Sequence, residues 1–264
     1  MNKMIIGRYV PGNSVIHRMD PRAKLLLVFF YVGIVFLANN GVTYAILTAF
    51  TLLLLFLSQV PFLFVLKGIK PVLWVVLFTF LLHVFMTKEG SVLYQIGPFA
   101  IYEGGIQQGI FISLRFLLFV LITTLLTLST TPIEVTDAIE SLFGPLKRFR
   151  IPVHELALMM SISLRFIPTL MDETEKIMKA QAARGVDFYG GPLGERMKAI
   201  VSLLVPLFIH SFKRAEELAI AMEARGYRGG EGRTKYRVLT WKGIDTVLLL
   251  AVAILAAALF LLRS

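Results

Sequence analysis

The chain contains no cysteine, which excludes a disulfide framework and any thiolate metal site. It is also poor in charge. Asp, Glu, Lys and Arg make up 17% of its 264 residues, too little polar surface for a soluble domain of this length. No Gly-x-x-x-x-Gly-Lys-Ser/Thr stretch occurs, so the chain has no nucleotide-phosphate loop of its own. Its four histidines, His17, His83, His154 and His210, are scattered, and His154-Glu155 lacks the second histidine of zinc-protease spacing. Metal and protease chemistry therefore find no support. Residues 1–24 are polar and basic without a short apolar core and cleavage site, so no cleaved signal peptide is expected there.

What the chain has in abundance is apolar length. It is 56% hydrophobic with 21 Phe, and its mean hydropathy is +0.75, the profile of a membrane protein. Apolar runs at 25–38, 42–57, 72–86, 110–128 and 247–262 predict five spans. Several are short of a full span, and flanking Lys24 and Trp241 extend them to the interface. Asn39-Asn40-Gly41 makes an uncharged turn between the first two.

The net charge of +10 reads as loop charge rather than as a nucleic-acid site, because Lys and Arg collect in cytoplasmic loops. The N-terminal tail carries Lys3, Arg8, Arg18, Arg22 and Lys24, the loop after the second span carries Lys67 and Lys70, and 17 of the 27 basic residues fall in 130–243. The loop between spans three and four has only Lys88, beside Glu89 and Glu103, and the C-terminal tail only Arg263. This asymmetry predicts a multi-pass plasma-membrane protein of a prokaryote, with its N-terminus and 130–243 inside and its C-terminus outside. The expected fold is all-α: four spans in 1–129, a cytoplasmic-side domain of long helices in 130–243, and a last transmembrane helix in 244–264.

In the 130–243 insertion, Thr131-Pro132 opens a helix over 134–143, and Gly144-Pro145 and Arg150-Ile151-Pro152 break the chain. Long helices are predicted over 153–183 and 194–224, with Pro168 and Pro206 inside them as hinge positions. Glycine turns follow at Gly190-Gly191-Pro192 and Gly229-Gly230. Residues 156–170 and 199–209 are apolar enough to cross the membrane, which would give seven spans. Crossing by the first would place Lys176, Lys179, Arg184, Arg196 and Lys198 outside, against the charge rule, so helices lying along the inner interface are preferred.

Each long helix ends in the same tripeptide, Ala183-Arg184-Gly185 and Ala224-Arg225-Gly226. The offset of 41 (225 − 184) also aligns Ser161 with Ser202, Glu175 with Glu216 and Ala180 with Ala221. Ile177, Gln181 and Arg184 share one helix face, as do Leu218, Met222 and Arg225. A small-residue helix end with one Arg can enter a groove and pair with a carboxylate. For a single copy, a helix-dipole contact of Arg with a Gly stop would be explanation enough; two copies in register point to two similar partners.

The chain resembles the transmembrane T component of energy-coupling factor transporters. The resemblance rests on Arg18-Met19-Asp20-Pro21-Arg22-Ala23-Lys24, on Ser163-Leu164-Arg165-Phe166-Ile167-Pro168, and on the two tips, with Lys179-Ala180-Gln181-Ala182-Ala183-Arg184-Gly185 the most specific piece. It covers essentially the whole chain. It implies a non-catalytic subunit that joins two ABC-type ATPases on the cytoplasmic side to a membrane-embedded S component, which binds the vitamin or trace nutrient. The tips 183–185 and 224–226 would each sit in a groove of one ATPase. ATP and Mg would be used by those partners, and this chain would bind no cofactor.

A self-sufficient permease or intramembrane enzyme is the competing class. It should show several ionisable groups around one midplane cavity, and Arg115, Arg165 and His83 are few and dispersed.

Overall fold

The computed structural model describes residues 9–96, 99–149, 152–229 and 238–263. Lys3, Arg8, Arg150, Ile151 and Gly230 lie outside them. The described chain is helical apart from one hairpin: α1 Pro21–Val35, α2 Gly41–Ser58, α3 Phe62–Met86, β1 Val92–Ile96, β2 Phe99–Tyr102, α4 Glu103–Ser129, α5 Pro132–Leu142, a 3-10 turn Gly144–Phe149, α6 Val153–Ala183, α7 Leu193–Ala224 and α8 Gly243–Leu261. It is an all-α membrane protein. Two compact units emerge, one running to Ser141 and resuming at Val238, the other beginning at Leu142.

Among the described residues, five helices are long and apolar enough to cross a membrane: α2, α3, α4, α6 and α8. The number matches the expectation from sequence, but the membership does not. α1 stops at Val35 after 15 residues, about 22 Å of helix, and its chain closes in 3-10-type bonds from Phe36 and Leu37 to Gly33 and Ile34. α6 qualifies because its first half carries only Glu155 and Arg165 among Asp, Glu, Lys and Arg.

Lys67 and Lys70, expected in a loop, lie inside α3, which continues through Pro71. The segment between α3 and α4, expected as a loop, contains the antiparallel β1–β2 pair. Apolar runs mark what the hydrocarbon requires, whereas a helix continues past the interface for as long as its backbone bonds can be made.

In the first unit α1, α2, α4 and α8 enclose a core that includes Tyr31, Leu47, Leu118 and Leu259. Tyr31 is fully buried and bonds the Thr51 hydroxyl, and Tyr44 stacks on Phe111 at 4.9 Å between centroids. α3 lies tightly against α4 through glycine. A Cβ at Gly105 would stand 3.0 Å from the His83 carbonyl oxygen, and one at Gly109 3.1 Å from the Phe80 ring. With little hydrophobic gain available between helices in lipid, close backbone approach of this kind supplies the packing energy.

Candidate functional site

The N-terminal Arg18–Lys24 motif forms a buried polar hub. Asp20 caps α1 by accepting from the Arg22 N–H at 2.8 Å, with Pro21 at the first turn. The Arg22 guanidinium donates back to both Asp20 oxygens, at 3.0 and 2.8 Å. It also reaches the Ser141 hydroxyl and the Leu239 carbonyl, each at 3.2 Å, and stacks over Trp241. Lys24 donates to the Ser129 carbonyl at 2.8 Å.

Asp245, absent from the sequence-level candidates, closes the hub. It is fully buried, accepts the Asp20 N–H at 3.0 Å and the Lys242 N–H at 2.7 Å, and so ties the start of α8 to that of α1. A lone Asp four residues after Trp241 carried no signal, because Asp20, the partner that makes it part of the hub, is 225 positions away in sequence. Burial pushes the Asp20 carboxyl up, but the bonds from Arg22 and the charges of Arg22 and Lys24 outweigh it and hold the group below its ordinary value.

In the second unit α6 and α7 pack as an antiparallel pair. Gln181 donates to the Ser202 carbonyl at 3.1 Å, and Arg214 pairs with Glu173 at 2.9 Å. Glu173 and Arg214 are themselves one repeat apart (214 − 173 = 41), so each occupies the other's place in the repeat. The same 41-residue offset matches α6 with α7 and Arg184 with Arg225. By that offset Gln181 corresponds to Met222 and Ser202 to Ser161; Gln181 bonds Ser202, whereas Met222 lines a groove with Ile162. Pro168 and Pro206 both lie inside continuous helices.

The two tips have the same backbone. Gly185 and Gly226 adopt left-handed φ of 87° and 75°, where a Cβ would be strained. The Gly185 N–H bonds Ala182 and the Val186 N–H bonds Gln181; likewise Gly226 bonds Glu223 and Tyr227 bonds Met222. These are matching Schellman caps, so backbone groups satisfy the helix-end carbonyls without the arginine side chains. Arg184 and Arg225 are exposed and make no side-chain hydrogen bond or ion pair among the described residues. The capping explanation thus accounts for the glycines and leaves both guanidiniums available. Ser202 faces Gln181, and Arg225 lies 23 residues farther along α7 (225 − 202), so the tips stand roughly 40 Å apart at opposite ends of the pair.

The intramembrane ionisable groups make local bonds instead of a shared site. Arg115 donates to the Tyr44 hydroxyl at 3.2 Å and lies over the Phe36 ring at 5.3 Å. His83 bonds the Thr79 carbonyl one turn earlier in α3.

Residues 12–236 match the family described as cobalt transport protein, CbiQ. The chain is 66% identical to the energy-coupling factor transporter transmembrane protein EcfT of Bacillus subtilis (strain 168), with all of both chains covered. It is 58% identical to the EcfT of Listeria innocua and 55% to that of Streptococcus thermophilus, again with all of both chains covered. Across its whole length, then, this chain belongs to the CbiQ/EcfT family, the transmembrane components of energy-coupling factor transporters.

Proposed function

We propose that this chain is the non-catalytic energy-coupling subunit of an ATP-driven importer, with Ala183-Arg184-Gly185 and Ala224-Arg225-Gly226 as its two docking points on a pair of ABC-type ATPases. The observation that carries this is the pair of identically capped tips, one repeat apart in sequence and roughly 40 Å apart at opposite ends of an antiparallel helix pair. An ATPase pair has two similar faces, and two similarly capped tips suit it in a way that one catalytic centre would not. ATP and Mg belong to the partners. A membrane-embedded S component would bring the vitamin or trace nutrient, and motion of α6 against α7, with Pro168 and Pro206 as bends, would pass the closure of the ATPases to it.

The same geometry supports a hairpin that lies along the inner interface. Tips at opposite ends of an antiparallel pair would fall on opposite sides of the bilayer if α6 crossed it, and only one could then meet a cytoplasmic partner. With α6 at the interface, the N-terminus and both tips are inside, and α8 leads to an outside C-terminus.

The test is affinity purification of the tagged chain from its own membrane in mild detergent. Two ATPases and one or more small membrane proteins should co-purify. Arg184→Ala and Arg225→Ala should each weaken ATPase association by about 2–5 kcal/mol, the cost of leaving a partner carboxylate buried and unpaired. Full transport by the double variant would sink the proposal.

A further inference from the structure

The two tips share a backbone but not a charge environment. Beside Arg225 a groove of about 570 Å³ opens between α6 and the end of α7. Its apolar wall is Leu158 and Ile162 of α6 with Leu218 and Met222 of α7, and its polar rim carries three arginines, Arg165, Arg225 and Arg228. All three are exposed, and none pairs with a carboxylate among the described residues. The 41-residue repeat locates the corresponding positions at the first tip. Arg165 maps to Pro206 (165 + 41), and Arg228 maps to Asp187 (228 − 41). Asp187 accepts the backbone N–H groups of Tyr189 and Gly190, at 2.9 and 3.0 Å, and these bonds hold its carboxyl below the ordinary range and ionised. At these three matched positions the second tip carries three positive charges, and the first carries one positive and one negative, with the charge of Arg196 also acting on Asp187.

We infer that the groove of Arg165, Arg225 and Arg228 receives an acidic segment of one ATPase, with an apolar side chain anchored between α6 and α7, and that this charge difference assigns each ATPase to its own tip. The inference rests on the coupling role proposed above. A single arginine can pair with one carboxylate, and both tips can do that much. Three guanidiniums around an apolar slot fit a segment with at least two carboxylates flanking a hydrophobic residue. The same segment at the first tip would meet the Asp187 carboxylate, and the like charges would reject it. Arg165 lies in the Ser163–Pro168 stretch, whose arginine had no role from sequence alone; the antiparallel packing brings it to the second tip, about 60 residues away in the chain (225 − 165).

The experiment uses the whole transporter, expressed with both ATPases and purified through a tag on this chain, with each ATPase quantified separately by mass spectrometry. The double variant Arg165→Glu, Arg228→Glu should lose one ATPase roughly tenfold or more while the other is retained. The variant Arg165→Lys, Arg228→Lys should keep most of it, because charge is restored without the original side chains. Asp187→Arg should instead let the ATPase of the second tip occupy both places.

Equal loss of both ATPases in the glutamate double variant would overturn the inference, as would loss of neither. If Arg225→Ala releases an ATPase but the glutamate double variant releases none, the coupling reading stands and the groove assignment falls. If Arg184→Ala and Arg225→Ala release nothing, the coupling reading itself has failed. Retention of both ATPases with transport that newly depends on the anionic lipid content of reconstituted vesicles would make the groove a lipid-headgroup site, and would likewise overturn the assignment.

Discussion

The two units of this chain solve the problem of burial in opposite ways. The first encloses its polar residues: Asp20, Lys24 and Asp245 are all buried, and each is met by a donor or acceptor from a different part of the chain. The second leaves its side chains open. Of the buried apolar residues described, only Val153, Ala157 and Ala199 belong to it, while Met159, Phe208 and Phe212 are exposed. A frame that must hold its form in lipid closes on itself. On the coupling role proposed above, the second unit is a lever that keeps its apolar face and its arginines for partners and membrane. Arg22 serves the frame at the point of exchange, since it bonds Ser141, where the chain leaves the first unit, and Leu239, just after it returns.

The sharpest way to break this contrast is to open the frame. Asp245→Ala removes a buried acceptor from the Asp20 and Lys242 N–H groups and a negative charge that offsets Arg22 and Lys24. It should cost about 3–5 kcal/mol of stability, read as a large fall in the thermal midpoint of the detergent-solubilised protein. Arg184→Ala and Arg225→Ala should leave that midpoint nearly unchanged. If the tips proved as destabilising as Asp245, the division into frame and lever would be wrong.

Acid makes the same break reversibly. The Asp20 carboxyl titrates lower in the folded chain than the unfolded value of 3.8. Its stabilisation is therefore complete above that value and is lost as pH falls through the lower, folded one. Thermal midpoints measured from pH 6 down to pH 3 should drop at the acid end, and Asp20→Asn should flatten that part of the profile.

A smaller effect is expected at the α3–α4 contact. Gly109→Leu forces a side chain against the Phe80 ring and should cost about 1–3 kcal/mol, whereas Gly144→Leu, which meets nothing within 4 Å, should cost much less. Equal midpoints for the two variants would remove the close approach as a source of stability.

The smallest change sharpens the picture of the lever. Glu173 and Arg214 are partly exposed, at 16% and 39% of their side chains, so a double-mutant cycle with Glu173→Gln and Arg214→Met should give a coupling of only about 0.5 kcal/mol. A coupling several times larger would mean that this ion pair locks α6 to α7 instead of merely registering them.

The α6 bounds, the Gly stops and the Arg-tipped faces were legible in sequence because each is a local matter. The 3.6-residue period, the left-handed preference of glycine and the Ile177-Gln181-Arg184 spacing all operate within a few turns. Leu218, Met222 and Arg225, grouped by spacing alone, line one groove in the structure. The β1–β2 hairpin was not legible, because Tyr94 and Ile101 become partners only through strand pairing. Nor was the length of α3, since Lys67 and Lys70 read as loop residues although the helix carries both and continues through Pro71.

By itself the sequence determined a membrane protein without a nucleotide loop, with a basic insertion and two matching helix ends. Composition and period are set residue by residue, and hydrocarbon admits few alternatives to helices. Tertiary structure alone decided that α6 and α7 run antiparallel, that Glu173 meets Arg214, that Arg165 joins Arg225 and that Asp245 closes the hub on Asp20. Each of these depends on which distant helices share a contact, and that is settled by the packing of all the helices together rather than by any local run of residues.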